Sequence, residues 1–125
     1  MQKRVIKVGI LPFRDFQART IAIAGGALKP RKGEPKVWFP SIRSFASVLS
    51  EENAALLAMI RRTHPASLKE LERTTGRAQS NLSRTLRTME KYGLVKLSEG
   101  KGTRGKRPLK AEVLADEIVL ELAVG

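Results

Sequence analysis

The sequence predicts an α+β fold, and three observations support this class. Apolar residues recur at helical spacing through the middle of the chain, between residues 41 and 92. Short apolar or alternating runs typical of strands lie near both ends and directly after the helical part. The chain has 125 residues, 42% of them hydrophobic, which suffices for one core and is short for two substantial ones.

Residues 1–36 are predicted to form an N-terminal strand–helix extension followed by a basic linker. Val5 to Ile10 favours a strand, and Pro12 suits the start of a helix over about residues 13–24. Apolar residues fall on several sides of that helix, so we expect it to be buried broadly rather than along one stripe. Residues 28–36 are rich in lysine, arginine, glycine and proline and indicate an exposed linker.

Residues 37–115 are predicted to form the main domain, which begins with capped helices. Ser41 and Ser50 are each followed by a helical pattern, and serine is a favoured N-cap. The helix after Ser50 is expected to end before His64-Pro65, because proline disfavours a helical residue ahead of it. The residues that mark its buried face are Leu56, Met59 and Ile60.

Two further helices separated by a glycine turn follow in the same domain. Ser67 and Glu70 have the spacing of a capping box, and Gly76 suits the left-handed end of the first helix. In the second helix, over about residues 78–92, a core-facing stripe carries leucine and methionine at i, i+4 and i+7. Arginine, glutamine and hydroxyl side chains outside that stripe are suited to base edges and phosphates in a major groove. The predicted reading residues are Arg77, Gln79, Ser80, Asn81, Ser83, Arg84 and Arg87.

A basic loop between two predicted strands comes next. The strands lie near Leu94–Leu97 and Leu109–Val113, and residues 98–108 between them are rich in glycine and cations, which cannot build a core. A cationic loop in this place is typical of the wing of a winged helix-turn-helix, which lies on the DNA backbone or in the minor groove. The predicted wing contacts are Lys101, Thr103, Arg104, Lys106 and Arg107.

The runs Gly76–Leu86 and Met89–Val95 resemble the helix-turn-helix of MarR-like and ArsR-like regulators. Those families show Ser-Gln-x-x-Val-Ser-x-x-Leu-x-x-Leu-x-x-x-Gly-Leu-Val at this place, whereas this chain has Ala78 for the first serine and Leu82 for the valine. The resemblance implies a winged helix that binds DNA. It does not identify an operator.

A looser resemblance extends over nearly the whole chain. Residues 34–39 and 50–53 are similar to small prokaryotic MarR-like predicted regulators, some of which are antitoxins encoded beside a toxin. This resemblance implies autoregulation of a small operon and a toxin protein as a possible partner. The alternative function is therefore an antitoxin.

The charge of the chain is strongly positive and unevenly distributed. The net charge is +12, made up of +8 for residues 1–49, +4 for 50–97 and 0 for 98–125. A balance this basic points to a polyanionic partner, and double-stranded DNA fits the helices best. A second alternative is a nucleoid or RNA-binding protein that uses the positive field without sequence preference.

Several other classes are disfavoured by composition and motifs. The chain has no cysteine and one histidine, His64, so thiolate zinc sites are excluded and no metal or cofactor is expected. No catalytic triad, motif-placed carboxylate pair or phosphate-binding loop is visible, so we expect no enzyme activity. No apolar run approaches a bilayer span or a signal peptide, so a cytoplasmic, nucleoid-associated protein is expected.

Residues 116–125 are predicted to form a C-terminal strand. Ile118, Leu120, Leu122 and Val124 alternate with their neighbours, although a helical step through Leu114 is also present. The strand is expected to pair with the N-terminal strand or with a second subunit. A homodimer is expected, because regulators usually place two recognition helices about 34 Å apart in successive turns of the major groove.

Overall fold

The computed structural model describes residues 3–99 and 109–124, and it confirms the α+β class. The chain divides into two compact units. Met1–Ser47 and Asp116–Gly125 form the first unit, and Val48–Ala115 forms the second. The elements of the first unit are β1 (Val5–Ile10), α1 (Phe13–Ala24), β2 (Val37–Phe39), α2 (Ile42–Val48, whose last residue begins the second unit) and β5 (Glu117–Glu121). The elements of the second are α3 (Glu51–Thr63), α4 (Leu68–Thr75), α5 (Gln79–Lys91), β3 (Val95–Glu99) and β4 (Leu109–Val113).

The first unit is built on a parallel sheet of order β2-β1-β5. Val8, at the centre of β1, is fully buried and lies between Val37 of β2 and Leu120 of β5. Phe39 is also fully buried and meets Phe45 of α2 edge to face, with 5.4 Å between the ring centroids. The predicted C-terminal strand and its pairing with the N-terminal strand are therefore confirmed.

The predicted boundary at 115/116 coincides with a boundary of the two units, whereas the one predicted at 36/37 lies at 47/48 in the structure. β2 and β5 both pair with β1, so residues 37–47 and 116–125 belong with the N-terminal residues and not with the central domain or a separate piece. Just before β1 and β5 begin, the Asp116 Oδ2 accepts a hydrogen bond from the Arg4 backbone N at 2.6 Å.

The bounds predicted for α1 are confirmed, but its predicted broad burial is wrong. No residue of α1 is buried, and the side chains of Phe13 and Ile21 are 68% and 72% exposed. The half-covered residues Arg19, Ala22 and Ile23 share one stripe at i, i+3 and i+4. An amphipathic helix on a protein surface covers only such a stripe, and the other apolar residues of α1 remain in solvent.

Trp38 anchors the segment that was predicted to be an exposed linker. A Cβ on Gly9, opposite Trp38 in the sheet register, would lie 2.4 Å from the indole Cζ3, so only glycine fits under the ring. The Arg19 guanidinium lies over the same ring, 5.1 Å from its centroid, and forms an ion pair with Glu34. Pro35 is buried. The prediction of an exposed linker is therefore wrong for residues 34 and 35, because the ion pair and the sheet hold them.

The second unit contains the predicted capped helices. Ser50 accepts from the Asn53 N at 3.2 Å at the start of α3, and His64 ends that helix in the left-handed region, with φ 46°. Ser67 accepts from the Glu70 N at 3.2 Å at the start of α4. The helix ends at Gly76, where φ is 76° and a side chain would be strained. The two helices and the glycine turn are thus confirmed.

The core of the second unit lies between α5 and the two-stranded sheet. Leu82, Leu86 and Met89 of α5 are fully buried, as are Leu94 and Val95 at the start of β3. β3 and β4 are antiparallel, from the pair Val95–Val113 to the pair Glu99–Leu109. The predicted stripe and the predicted strands on both sides of the basic loop are confirmed. Among the described helices, none combines the length and the apolar character needed to cross a bilayer.

Candidate nucleic-acid interface

The outward side of α5 is polar and positively charged. It lies opposite the buried stripe and surrounds an open depression of about 690 Å³. The residues around this depression are Ser80, Ser83, Arg84, Arg87, Thr88, Glu90 and Lys91. We call this surface the α5 face. Three of its residues are cations and one is a carboxylate, so it suits an anion more than a cation.

Glu90, the one acidic residue of the α5 face, has a structural partner. Its Oε2 accepts a hydrogen bond from the backbone N of Leu97 in β3 at 2.8 Å. The carboxylate therefore ties the end of α5 to the hairpin. The hydroxyl of Thr88 is also engaged within the helix, since it donates to the Arg84 carbonyl at 3.0 Å.

The two arginines at the centre of the α5 face are both exposed. The Arg87 Nε donates to the Ser83 Oγ at 3.2 Å, which holds this guanidinium along the helix surface. A guanidinium can donate two parallel hydrogen bonds to guanine O6 and N7, and hydroxyls can bind phosphates or bases. The α5 face thus carries side chains that are able to read a base edge and to neutralise a phosphate.

Four of the seven predicted reading residues come together on the α5 face: Ser80, Ser83, Arg84 and Arg87. The sequence reasoning missed Thr88 and Lys91, which border the same depression. Both follow from helical spacing, because Thr88 is four residues after Arg84, and Lys91 is four after Arg87. Extending the polar face by one turn would have found them.

Gln79 lies at the start of α5 and contacts α4. The N-cap residue, Ala78, has no side chain that can accept a hydrogen bond. Glu72 of α4 takes that role, since its Oε2 accepts from the Gln79 N at 3.2 Å and its Oε1 from the Gln79 Nε2 at 3.3 Å. Its negative charge also suits the positive end of a helix. The Gln79 side chain is thus held beside α4.

Arg77 and Asn81 contact other parts of the second unit. Arg77 donates from Nε to the Asn81 Oδ1 at 2.9 Å, from Nη1 to the Asn53 Oδ1 at 3.1 Å and from Nη2 to the Thr85 Oγ1 at 3.2 Å. All four residues are half-buried. Asn81 and Thr85 lie one turn apart on α5, on the flank between the core and the α5 face, and Arg77 reaches them from the turn before the helix. Residue type alone had grouped Arg77 with the exposed arginines.

The predicted wing residues Lys101, Thr103, Arg104, Lys106 and Arg107 lie outside the described residues. The strands β3 and β4 that flank them are present as an antiparallel pair. Within residues 3–99 and 109–124, no group of three or more metal-ligating side chains occurs. That the chain uses no metal, cofactor or catalytic group stays a prediction.

The comparison with protein families assigns the chain to a family. Residues 48–119, more than half of the chain, match the model of the HVO_A0114 family. The chain therefore belongs to the HVO_A0114 family. The matched residues include the whole second unit, and with it the α5 face and the flanking Arg77 contacts. No curated protein and no solved structure matches the chain.

Proposed function

We propose that the protein is a sequence-specific DNA-binding transcriptional regulator whose second unit is a winged helix. In this proposal α5 is the recognition helix and enters the major groove of double-stranded DNA. The observation that carries the proposal is the α5 face, where exposed Arg84, Arg87 and Lys91 lie opposite a fully buried apolar stripe. A helix that is needed only for packing does not require cations and hydroxyls around a concave outer surface.

The dimensions and the charge of α5 suit a DNA groove. With 13 residues, α5 has a length of about 20 Å at the usual helical rise. The major groove is about 12 Å wide and admits an α-helix. In the proposed complex, Arg84 and Arg87 contact base edges or phosphates, and Lys91 at the end of the helix contacts a phosphate.

The basic loop between β3 and β4 supplies the second proposed contact. The strands run antiparallel, and residues 100–108 lie in the sequence between Glu99 and Leu109, which pair with each other. That loop contains Lys101, Arg104, Lys106 and Arg107 and no acidic residue. We propose that these cations lie on the DNA backbone or in the minor groove, where phosphate neutralisation releases counterions.

The first test is selection of bound fragments from the source genome, followed by fluorescence anisotropy on a selected duplex and a random one. Arg84→Ala should weaken the selected duplex by about 1–3 kcal/mol and relax its specificity. Lys106→Ala should weaken both duplexes alike and reduce the salt slope by about one. Arg62→Ala, which removes an exposed arginine of α3 outside the α5 face, is the matched control.

The proposal fails if the purified protein binds no duplex at moderate salt. Equal losses on both duplexes for Arg84→Ala and Lys106→Ala would instead support a nucleoid or RNA-binding protein without sequence preference. Competition by bulk DNA and bulk RNA would then identify which nucleic acid it prefers.

We also propose that the regulator acts as a homodimer. The first unit leaves apolar side chains in solvent, including Phe13 and Ile21 of α1 and Val124 after β5. A contiguous exposed apolar surface is typical of a protein–protein contact, and we propose that these residues contribute to such a surface in the dimer. Light scattering at micromolar concentration should give twice the mass of one chain. Co-purification of a second small protein in place of the dimer would support the antitoxin alternative.

A further inference from the structure

We infer that Arg77 does not contact DNA and is a positioning residue, which sets the orientation of α5 relative to α3. The inference rests on the proposed function for its effect on DNA binding. The structural part of the inference is that the Arg77 side chain links α3 to α5 by hydrogen bonds to Asn53, Asn81 and Thr85. We call this set of hydrogen bonds the bracket, and all of them lie within the second unit. The α3 partner in the bracket is Asn53, which is distant in sequence from the α5 face.

The guanidinium of Arg77 joins three acceptors on two helices. Nη1 reaches the Asn53 Oδ1 on α3, whereas Nε and Nη2 reach Asn81 and Thr85, one helical turn apart on α5. All three distances lie between 2.9 and 3.2 Å, the normal range for N–H···O hydrogen bonds. Because a guanidinium is planar, it can hold the three acceptors only in one relative arrangement.

The α3 end of this bracket is itself fixed. The Asn53 side-chain Nδ2 donates to the Val48 carbonyl at 3.0 Å, and the Asn53 backbone N donates to the Ser50 Oγ at 3.2 Å. Asn53 therefore presents its Oδ1 from a held position. The backbone at the other end is held as well, since the Arg77 N donates to the Thr75 Oγ1 at 3.1 Å.

The bracket restricts rotation of α5 about its own axis, which the apolar core of α5 restricts less. Packing of Leu82 and Leu86 resists separation of α5 from the unit, but burial of apolar surface has no preferred direction. Hydrogen bonds weaken steeply when they are misaligned. A rotation of α5 about its axis would break them before it exposed the core, and the same rotation would move Arg84 away from its base.

A lysine in place of Arg77 cannot perform this task. Its ammonium is a single compact charge on a flexible stem and lacks the planar fork that spans two helices. Arg77→Lys keeps the positive charge and leaves at least one of the half-buried acceptors without its donor. It therefore separates loss of the charge from loss of the geometry.

The test compares Arg77→Met, Arg77→Lys and Asn53→Ala with Arg62→Met, an exposed-arginine control on α3. Binding is measured on the selected duplex, on its single-base-pair variants and on a random duplex, over a range of salt concentrations. The three bracket variants should lose about tenfold or more in affinity for the selected duplex, the loss expected when a base contact is misaligned. They should lose little on random duplex, keep the salt slope, and lose discrimination at several base pairs together.

The double variant Arg77→Met/Asn53→Ala should have the same affinity for the selected duplex as whichever single variant binds it more weakly, because each substitution already removes the same bracket. A different result overturns the inference. A salt slope reduced by about one in Arg77→Met, together with normal binding by Asn53→Ala, would make Arg77 a phosphate contact. Loss of discrimination at a single base pair would make it a base contact.

A DNA-independent measurement separates this inference from the proposed function. In the nuclear magnetic resonance spectrum of the unbound protein, the Arg77 Nε–H should exchange with water more slowly than that of Arg62. Asn81→Ala, which removes its acceptor, should abolish the difference. If wild-type protein binds no duplex, the proposed function fails and this measurement still decides the bracket. Rapid exchange of Arg77 in the wild type would overturn the inference whatever the DNA experiments show.

Discussion

Substitution of Gly9 by alanine should destabilise the first unit by steric conflict with Trp38. The added Cβ would lie 2.4 Å from the indole Cζ3, 2.7 Å from Cε3 and 3.0 Å from the Pro35 Cγ. Carbon atoms in contact are normally about 3.5–4.0 Å apart, so the ring has to move by about 1 Å. Overpacking of this kind costs about 1–3 kcal/mol. The same movement weakens the stacking of Arg19 on the ring, which contributes about 0.5–1 kcal/mol.

The expected total is therefore about 1.5–4 kcal/mol in the free energy of unfolding of the first unit. Trp38 is the only tryptophan, so its fluorescence during urea denaturation reports on this unit alone. Gly25→Ala is a matched control, since its Cβ would lie 3.4 Å from the nearest atom, the Ile21 carbonyl oxygen, with φ −84°. Gly9→Ala with wild-type stability and unchanged Trp38 emission would refute the reasoning.

Substitutions at three further positions test contacts in both units. The hydrogen bond from Arg19 holds the pKa of Glu34 below its ordinary value of 4.5. The pair therefore stabilises the folded state fully above pH 4.5, and this stabilisation is lost as the pH falls through the lower pKa of the folded state. Glu34→Gln should therefore destabilise the first unit at neutral pH and have no effect well below pH 4.5, and equal effects at both would contradict this. Gly76→Ala should cost about 1–2 kcal/mol in thermal unfolding of the second unit, because φ is 76°; an unchanged melting temperature would argue against a required left-handed residue. Glu72→Ala should cost about 1 kcal/mol by removing the acceptor at the start of α5, whereas Glu72→Gln, which keeps an oxygen, should cost less, and the reverse order would contradict the capping role.

The parts of the fold that depend on local signals were predicted well from the sequence. Ser67 with Glu70, the glycine at 76 and the apolar stripe of α5 each act over a few residues, and each is present in the structure. The strands on both sides of the basic loop were predicted for the same reason. Local hydrogen bonds and helical or strand periodicity are encoded in adjacent residues.

The pairing of β5 with β1 was predicted from the strand pattern, but other parts that depend on distant residues were not. Val37–Phe39 is a strand of three residues with no alternation, and it pairs because β1 lies beside it. The exposed side of α1 could not be inferred from its composition, because which side is covered depends on tertiary contacts. Arg77 illustrates the limit for the candidate site, since its partner Asn53 lies 24 positions away.

The pairing of β5 with β1 has a consequence for the order of events during translation. The second unit is continuous in sequence, whereas the middle strand of the parallel sheet gains its second neighbour only once residues 117–121 have been made. At about 5–20 residues per second, the ribosome needs roughly 4–15 s to proceed from residue 47 to residue 121. During that interval one edge of β1 has no partner within the nascent chain, and the whole second unit is made before that partner.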